Sequence, residues 1–186
     1  NTSVTRQSSV AYSGSNAIAQ VSNADDSYFG HYRGSSTAAL APATQSDGFT
    51  VSAYAKADSE NTFAYLSLYG LDANYETIGE EGDVHQNIVV GDLTKINSSG
   101  WTKLSVHSRF LHSGTKHASF RVGAKNSSGK TIYWDGFKLF PTSVTGSAVS
   151  ASYGSGGNFD IEHYVVDTAG RESPRAVGYG HGPGVC

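Results

Sequence analysis

The sequence predicts an all-β sandwich or jelly roll, and three observations carry that expectation. Tyr, Thr, Val and Ser recur in short runs broken by Gly, Asn and Asp, as in strands separated by turns. Turn signals at Ser13-Gly14, Asp47-Gly48, Ser99-Gly100 and Ser128-Gly129 punctuate those runs. No helical period of apolar residues persists beyond about two turns. With 186 residues, the chain is long enough to bury a proper core.

Taken in order, the first strands fall over residues 4–12 and 16–22. Residues 49–57 and 62–69 come next, joined by the short polar link 58–61, and are read as neighbours. Side chains alternate along a strand. Phe49, Val51, Ala53 and Ala55 therefore share a core side with Ala64, Leu66 and Leu68, and Ser52, Tyr54 and Lys56 face outward. The second of these strands is greasy on both faces, because Phe63, Tyr65 and Tyr69 occupy its outer side. Tyr54, Tyr65 and Tyr69 are expected to form one row on one outer face. Such a row can stack on the C–H faces of sugar rings, or it can be packing covered by the tail or a neighbouring subunit.

Residues 84–90 form a strand of mixed pattern. Residues 101–111 and 116–124 read as a hairpin around the turn 112–115. Leu104, Val106, Phe110, Ala118, Phe120 and Val122 point inward. Lys103, His107, Arg109, His117 and Arg121 then make a cationic stripe on the outer face. The stripe suits an anionic glycan or acidic partner, more so as histidines protonate; the plainer reading is a solvated face. The closing strand is 131–140. Parity there puts Tyr133, Asp135, Phe137 and Leu139 inside and Trp134 outside, where it could stack on a ligand or anchor the C-terminal extension. The segment 25–32 reads as a loop whose Tyr28, His31 and Tyr32 could form a small sugar site.

After residue 140 the character changes to Gly/Ser-rich sequence. The expected organisation is a sandwich over residues 1–140 and an extension over 141–186, too short to own a core. Residues 165–174 resemble the final hairpin of fibronectin-type-III-like domains. The strand-like piece 159–167 is expected to dock as an added strand, on its own sandwich near Trp134 or on another copy.

Other features exclude function classes. A net charge of −3 speaks against generic nucleic-acid binding. No apolar run approaches the ~20 residues of a membrane span. The one cysteine, Cys186, has no internal partner and could bridge to another chain. Sequons occur at Asn1, Asn97 and Asn126, and a start at Asn1 reads as a processed form or fragment. Glu80, Glu81, Asp83 and His85 gather ionisable groups, but adjacent glutamates usually mean a solvated loop. No G-x-S-x-G, H-E-x-x-H or P-loop occurs, so no active site is expected.

Four stretches resemble, in order, strands of carbohydrate-binding modules in the galactose-binding-like jelly-roll superfamily. They are YSGSNAIAQVS from Tyr12, GFTVSAYAK from Gly48, SGWTKLSV from Ser99 and IYWDGFKL from Ile132. The resemblance covers about residues 8–140; the family's usual opening motif is missing, and the extension is additional. It implies a non-catalytic glycan-binding module; the low charged content of 16%, with Ser, Thr, Asn and Gly carrying the polarity, suits a protein that works outside the cell, on a cell surface or on a virion. The resemblance also implies that Asp135 helps hold a structural calcium ion with backbone carbonyls, a ligand chemistry calcium accepts. The alternative is a structural or adhesion module of a virion, fibre or surface layer that binds copies of itself or neighbouring proteins.

Overall fold

A computed structural model of the chain describes residues 2–30, 40–141, 147–153, 159–166 and 172–178. Every regular element among the described residues is a β-strand. In chain order they are β1 (Thr2–Gln7), β2 (Ala17–Ser22), β3 (Asp26–Gly30), β4 (Leu40–Pro42), β5 (Gly48–Ala57), β6 (Thr62–Leu71) and β7 (Ile88–Val90). Then come β8 (Thr94–Ile96), β9 (Thr102–Arg109), β10 (His117–Lys125), β11 (Thr131–Pro141), β12 (Ser147–Tyr153), β13 (Phe159–Val166) and β14 (Glu172–Gly178).

The strands form two antiparallel sheets. In the first, β11 lies between β5 and β2; β9 pairs with β5 and β1 with β2. In the second, β10 lies between β6 and the successive strands β3 and β4, and β7 and β8 pair with β6. The inward side chains of both sheets meet in one core. Phe49, Val51, Ala53, Leu104, Ile132, Trp134 and Leu139 come from the first sheet; Ala64, Leu66, Leu68, Phe120 and Val122 come from the second. This is the predicted sandwich, and the parity read for β5, β6, β9 and β10 holds.

Parity fails in β11, for an identifiable reason. Between the pairs Asp135↔Tyr54 and Lys138↔Ser52, β11 advances three residues while β5 advances two. That is a β-bulge, and Gly136 supplies its positive φ of 63°. The extra residue exchanges the faces. Ile132 and Trp134 point inward before the bulge; Phe137 and Leu139 point inward after it. Trp134 is therefore fully buried, not outward as expected. Its indole N–H donates to Gln20 Oε1 at 2.8 Å, and the Gln20 amide donates in turn to Ser27 Oγ at 2.9 Å. Asp135 and Tyr133 are only partly buried, on the opposite side.

Two expected neighbours are separated. The link between β5 and β6 carries the chain from the first sheet to the second, so these strands do not pair. Residues 110–116 make the same crossing, so β9 and β10 are not a hairpin. The expected strand 84–90 shrinks to Ile88–Val90. Before it, Asp83 caps a turn by accepting the backbone N–H groups of Glu80 and His85, which agrees with the solvated-loop reading of that acidic cluster. In the extension, the strand added to β11 is β12, through Lys138↔Ser150 and Leu139↔Val149. The expected docking piece, β13, pairs with β12 and β14 instead.

The Trp134–Gln20 pair yields a prediction. Trp134→Phe keeps most of the packing but strands a buried acceptor, and should cost about 1–3 kcal/mol. Trp134→Ala should cost about 3–5 kcal/mol. Urea unfolding measures both, and an alanine variant as stable as the parent would show that the tryptophan is not core.

Candidate functional site

The greasy outer face of β6 is built on glycine. In antiparallel register, residues directly opposite one another share a face. Tyr65 lies opposite Gly123 of β10, and Gly123 lies opposite Tyr28 of β3. A Cβ on Gly123 would stand 2.2 Å from Tyr65 Cζ, so the Tyr65 ring lies flat across the bare backbone of β10. A glycine inside a strand marks such a close approach. From that seat the Tyr65 hydroxyl donates to Asp26 Oδ1 at 3.0 Å. Burial, with the Asp26 charge in addition, pushes the phenol well above its ordinary range.

On the same face, Arg121 lies opposite Ser67 one step along, and Ser119 opposite Tyr69 two steps along. The Arg121 guanidinium carbon is 5.2 Å from the centre of the Tyr69 ring and 4.9 Å from that of Tyr28, a double cation–π contact. Tyr65 and Tyr69 are buried at 8% and 7% exposure, whereas Tyr28 is 55% exposed. Lys125 Nζ lies 3.8 Å from Asp26 Oδ2. Together these groups, with Val90 and Leu93 on one rim, line an open cleft of about 260 Å³. Its floor is aromatic and its walls carry carboxylate, guanidinium, ammonium and hydroxyl groups. Such a surface can stack an apolar ring face and hydrogen-bond its substituents.

The other predicted residues scatter. Tyr54 lies on the outer face of the first sheet, across the molecule from Tyr65 and Tyr69, so the three do not form one row. Its ring stacks on Tyr12 at 3.7 Å and 13°, and Tyr12 meets Trp101 edge-on at 6.0 Å. Trp134 is core and offers no surface for stacking. Tyr28 sits on a strand and not on a loop; His31 and Tyr32 lie outside the described residues. The cationic stripe divides with its strands. Lys103, His107 and Arg109 belong to the first sheet, where His107 Nδ1 approaches Phe49 O at 2.9 Å and Arg109 Nε donates to Ser46 O at 3.0 Å. His117 and Arg121 belong to the second. His117 stacks on Tyr75 at 4.7 Å; burial pulls its pKa down, against a smaller opposing pull from Asp72. It therefore resists the protonation that the stripe would have used.

The calcium expected at Asp135 meets the wrong partners. Asp135 Oδ2 accepts the N–H groups of Tyr12 and Ser13 at 2.9 and 3.0 Å, and its Oδ1 that of Gly136 at 2.7 Å. Backbone donors thus satisfy both oxygens, and a donor set of amide N–H groups repels a cation. No group of three or more His, Cys, Asp or Glu side chains that could hold a metal occurs among the described residues. A calcium ion there would have to compete with these three backbone donors for the carboxylate.

Sequence reasoning missed Gly123 and Lys125 as site-building residues, and it held Asp26 only as part of the loop 25–32. Gly123 carried a legible signal, a lone glycine between Val122 and Ala124 inside a strand. Asp26 and Lys125 did not, because their meeting depends on β3 pairing with β10.

No protein-family model matches the sequence, and no curated protein matches it. Solved structures of similar fold do exist. The CBM22-1–GH10 modules of Clostridium thermocellum xylanase 10B, solved with xylohexaose, match at a TM-score of 0.51 and 14% identity, over 76% of this chain and 25% of that one. The CBM22-1 xylan-binding domain of Paenibacillus barcinonensis Xyn10C matches at 0.47 and 12%, over 75% of this chain and 81% of that one. A family 16 carbohydrate-binding module matches at 0.47 and 16%, over 73% and 84%. The chain thus has the β-sandwich jelly-roll fold found in carbohydrate-binding modules.

This geometry sets three expected outcomes. Gly123→Ala should unseat Tyr65 and cost about 1–3 kcal/mol by overpacking; a urea midpoint equal to the parent's would mean the ring has room to spare. The folded pKa of Tyr65 lies above its unfolded value of about 10, so its contribution is intact below that pH and fades as the pH rises further. Stability measured from about pH 9 to 11 should fall less steeply in Tyr65→Phe than in the parent. With Asp135 held by three backbone amides, the melting temperature should be the same in calcium and in chelator, whereas Asp135→Ala should lower it.

Proposed function

We propose that the chain is a non-catalytic module that binds carbohydrate on the outer face of the second sheet. The observation that carries this reading is the open cleft over Tyr28, Tyr65 and Tyr69, with Asp26, Arg121 and Lys125 in its walls. Sugar rings need both surfaces at once: an aromatic plane for the C–H face and polar groups for the hydroxyls. An open cleft on a sheet suits the interior of a polymer better than a small free sugar. The xylanase modules of similar fold were solved with xylohexaose, which makes linear polysaccharides the first ligands to try. The reading also implies work outside the cell or on a cell or virion surface.

A second reading has its own observation. Strands β12, β13 and β14 continue the first sheet beyond β11, and sheet extension is a common way for structural and adhesion proteins to bind copies or neighbours.

Calorimetry against xylan, galactan and glucan, run beside a native mass measurement, separates the two. Tyr28→Ala is the informative variant. Its ring is more than half exposed, so stability should hardly change, while glycan affinity should fall about fivefold for a stacking contact of about 1 kcal/mol. A parent protein that binds no polysaccharide but forms a defined oligomer would favour the structural reading.

A further inference from the structure

The position of Arg121 deepens the proposed function by naming the class of glycan, and it rests on that reading. Arg121 lies over one face of each of two cleft tyrosines. Its guanidinium carbon stands 4.9 Å from the Tyr28 ring centre and 5.2 Å from that of Tyr69. A sugar ring that stacks on the face of either tyrosine covered by the guanidinium must displace the cation or contact it.

For a neutral sugar, displacement forfeits two cation–π contacts, and hydroxyl groups replace them poorly. For a sugar bearing a carboxylate, contact is favourable. The guanidinium is planar, stays charged at any working pH, and matches a carboxylate with two parallel N–H donors. The aromatic seat restrains its flexible stem, so less side-chain freedom is lost on binding.

The surrounding charges favour the same ligand. Arg121 and Lys125 contribute two positive charges to the cleft, and Asp26 one negative charge. Asp26 is already engaged by the Tyr65 hydroxyl and by Lys125. The cleft is thus net positive on a chain whose net charge is −3. A positive cleft on an acidic protein attracts anionic ligands locally and only weakly repels them at a distance, since the remaining charge is screened by salt.

We infer that the cleft selects acidic glycans, with Arg121 as the specificity-determining residue that pairs with a uronate carboxylate while the sugar ring lies on Tyr28. The polar rim and the exposed ring then act together: Tyr28 supplies contact common to all sugars, and Arg121 supplies the preference among them.

Polygalacturonate, alginate and glucuronoxylan, each beside its own carboxyl-reduced form, test this by calorimetry or affinity electrophoresis. Each pair differs only in the carboxylate. The parent should prefer an acidic polymer over its reduced form by about tenfold or more at low salt, as expected for a hydrogen bond to a charged group. The preference should shrink as salt is raised. Arg121→Gln should abolish it, and Arg121→Lys should restore it in part; thermal melts of both variants verify folding. Equal binding of acidic and reduced polymers, or a preference that survives Arg121→Gln in a folded variant, overturns this inference and leaves carbohydrate binding standing. No binding to any polymer in either form overturns both.

Discussion

The first sheet is organised around one polar contact in the buried interior, the hydrogen bond from the Trp134 indole to Gln20. A buried indole N–H without an acceptor, or a buried amide without a donor, would cost more than the bond itself contributes. Once both are buried, β2 and β11 must therefore lie side by side in one register, Trp134 opposite Ile18 and Ile132 opposite Gln20. On its other edge β11 holds β5, and β5 holds β9. The register of β2 on β11 is thus tied to the Trp134–Gln20 bond.

The bulge beside that tryptophan is what lets the strand serve both ends of the sheet. Without it, Trp134 and Leu139 would point to opposite faces, since their positions differ by an odd number. With one extra residue, both reach the core. Gly136 is needed twice over, for its positive φ and for its bare Cα. A Cβ there would stand 3.0 Å from the Tyr54 ring. The carboxylate of Asp135, turned out of the core, instead pins the loop at Tyr12 and Ser13. That anchoring holds Tyr12 where it stacks on Tyr54, so a core packing requirement also organises an aromatic cluster on the outer surface of the first sheet.

The second sheet uses the same device to a different end. Gly123 removes a side chain from the middle of β10, and Tyr65 fills the gap by lying down. A tyrosine that stands up from a sheet exposes both ring faces and loses them to water; one that lies flat buries one face and directs its hydroxyl sideways. Here the hydroxyl reaches Asp26, which in turn meets Lys125. The result is a floor that is nearly as buried as core yet faces outward. A strand with two apolar faces is thereby explained: β6 has a core on one side and a shallow site on the other. Tyr28, raised at the rim, is the exposed ring of the three.

The sequence by itself determined the all-β class, most of the strand positions to within a few residues, and the inward set on β5, β6, β9 and β10. Period-two alternation is a local property, and burial in a sandwich reads it out directly. Only the tertiary structure decided which strands pair. A hairpin and two strands facing each other across a core carry the same alternation, so nothing in residues 101–124 distinguishes them. The expected cationic stripe and the expected row of Tyr54, Tyr65 and Tyr69 were therefore divided between opposite surfaces. Likewise, alternation assumes an unbroken pleat, and one inserted residue at Gly136 reverses every assignment before it. Trp134 moved into the core and Asp135 out of it for that reason alone. Arg121 reached Tyr28 and Tyr69 because β3, β10 and β6 lie side by side, a non-local pairing set by how the two sheets close on one core.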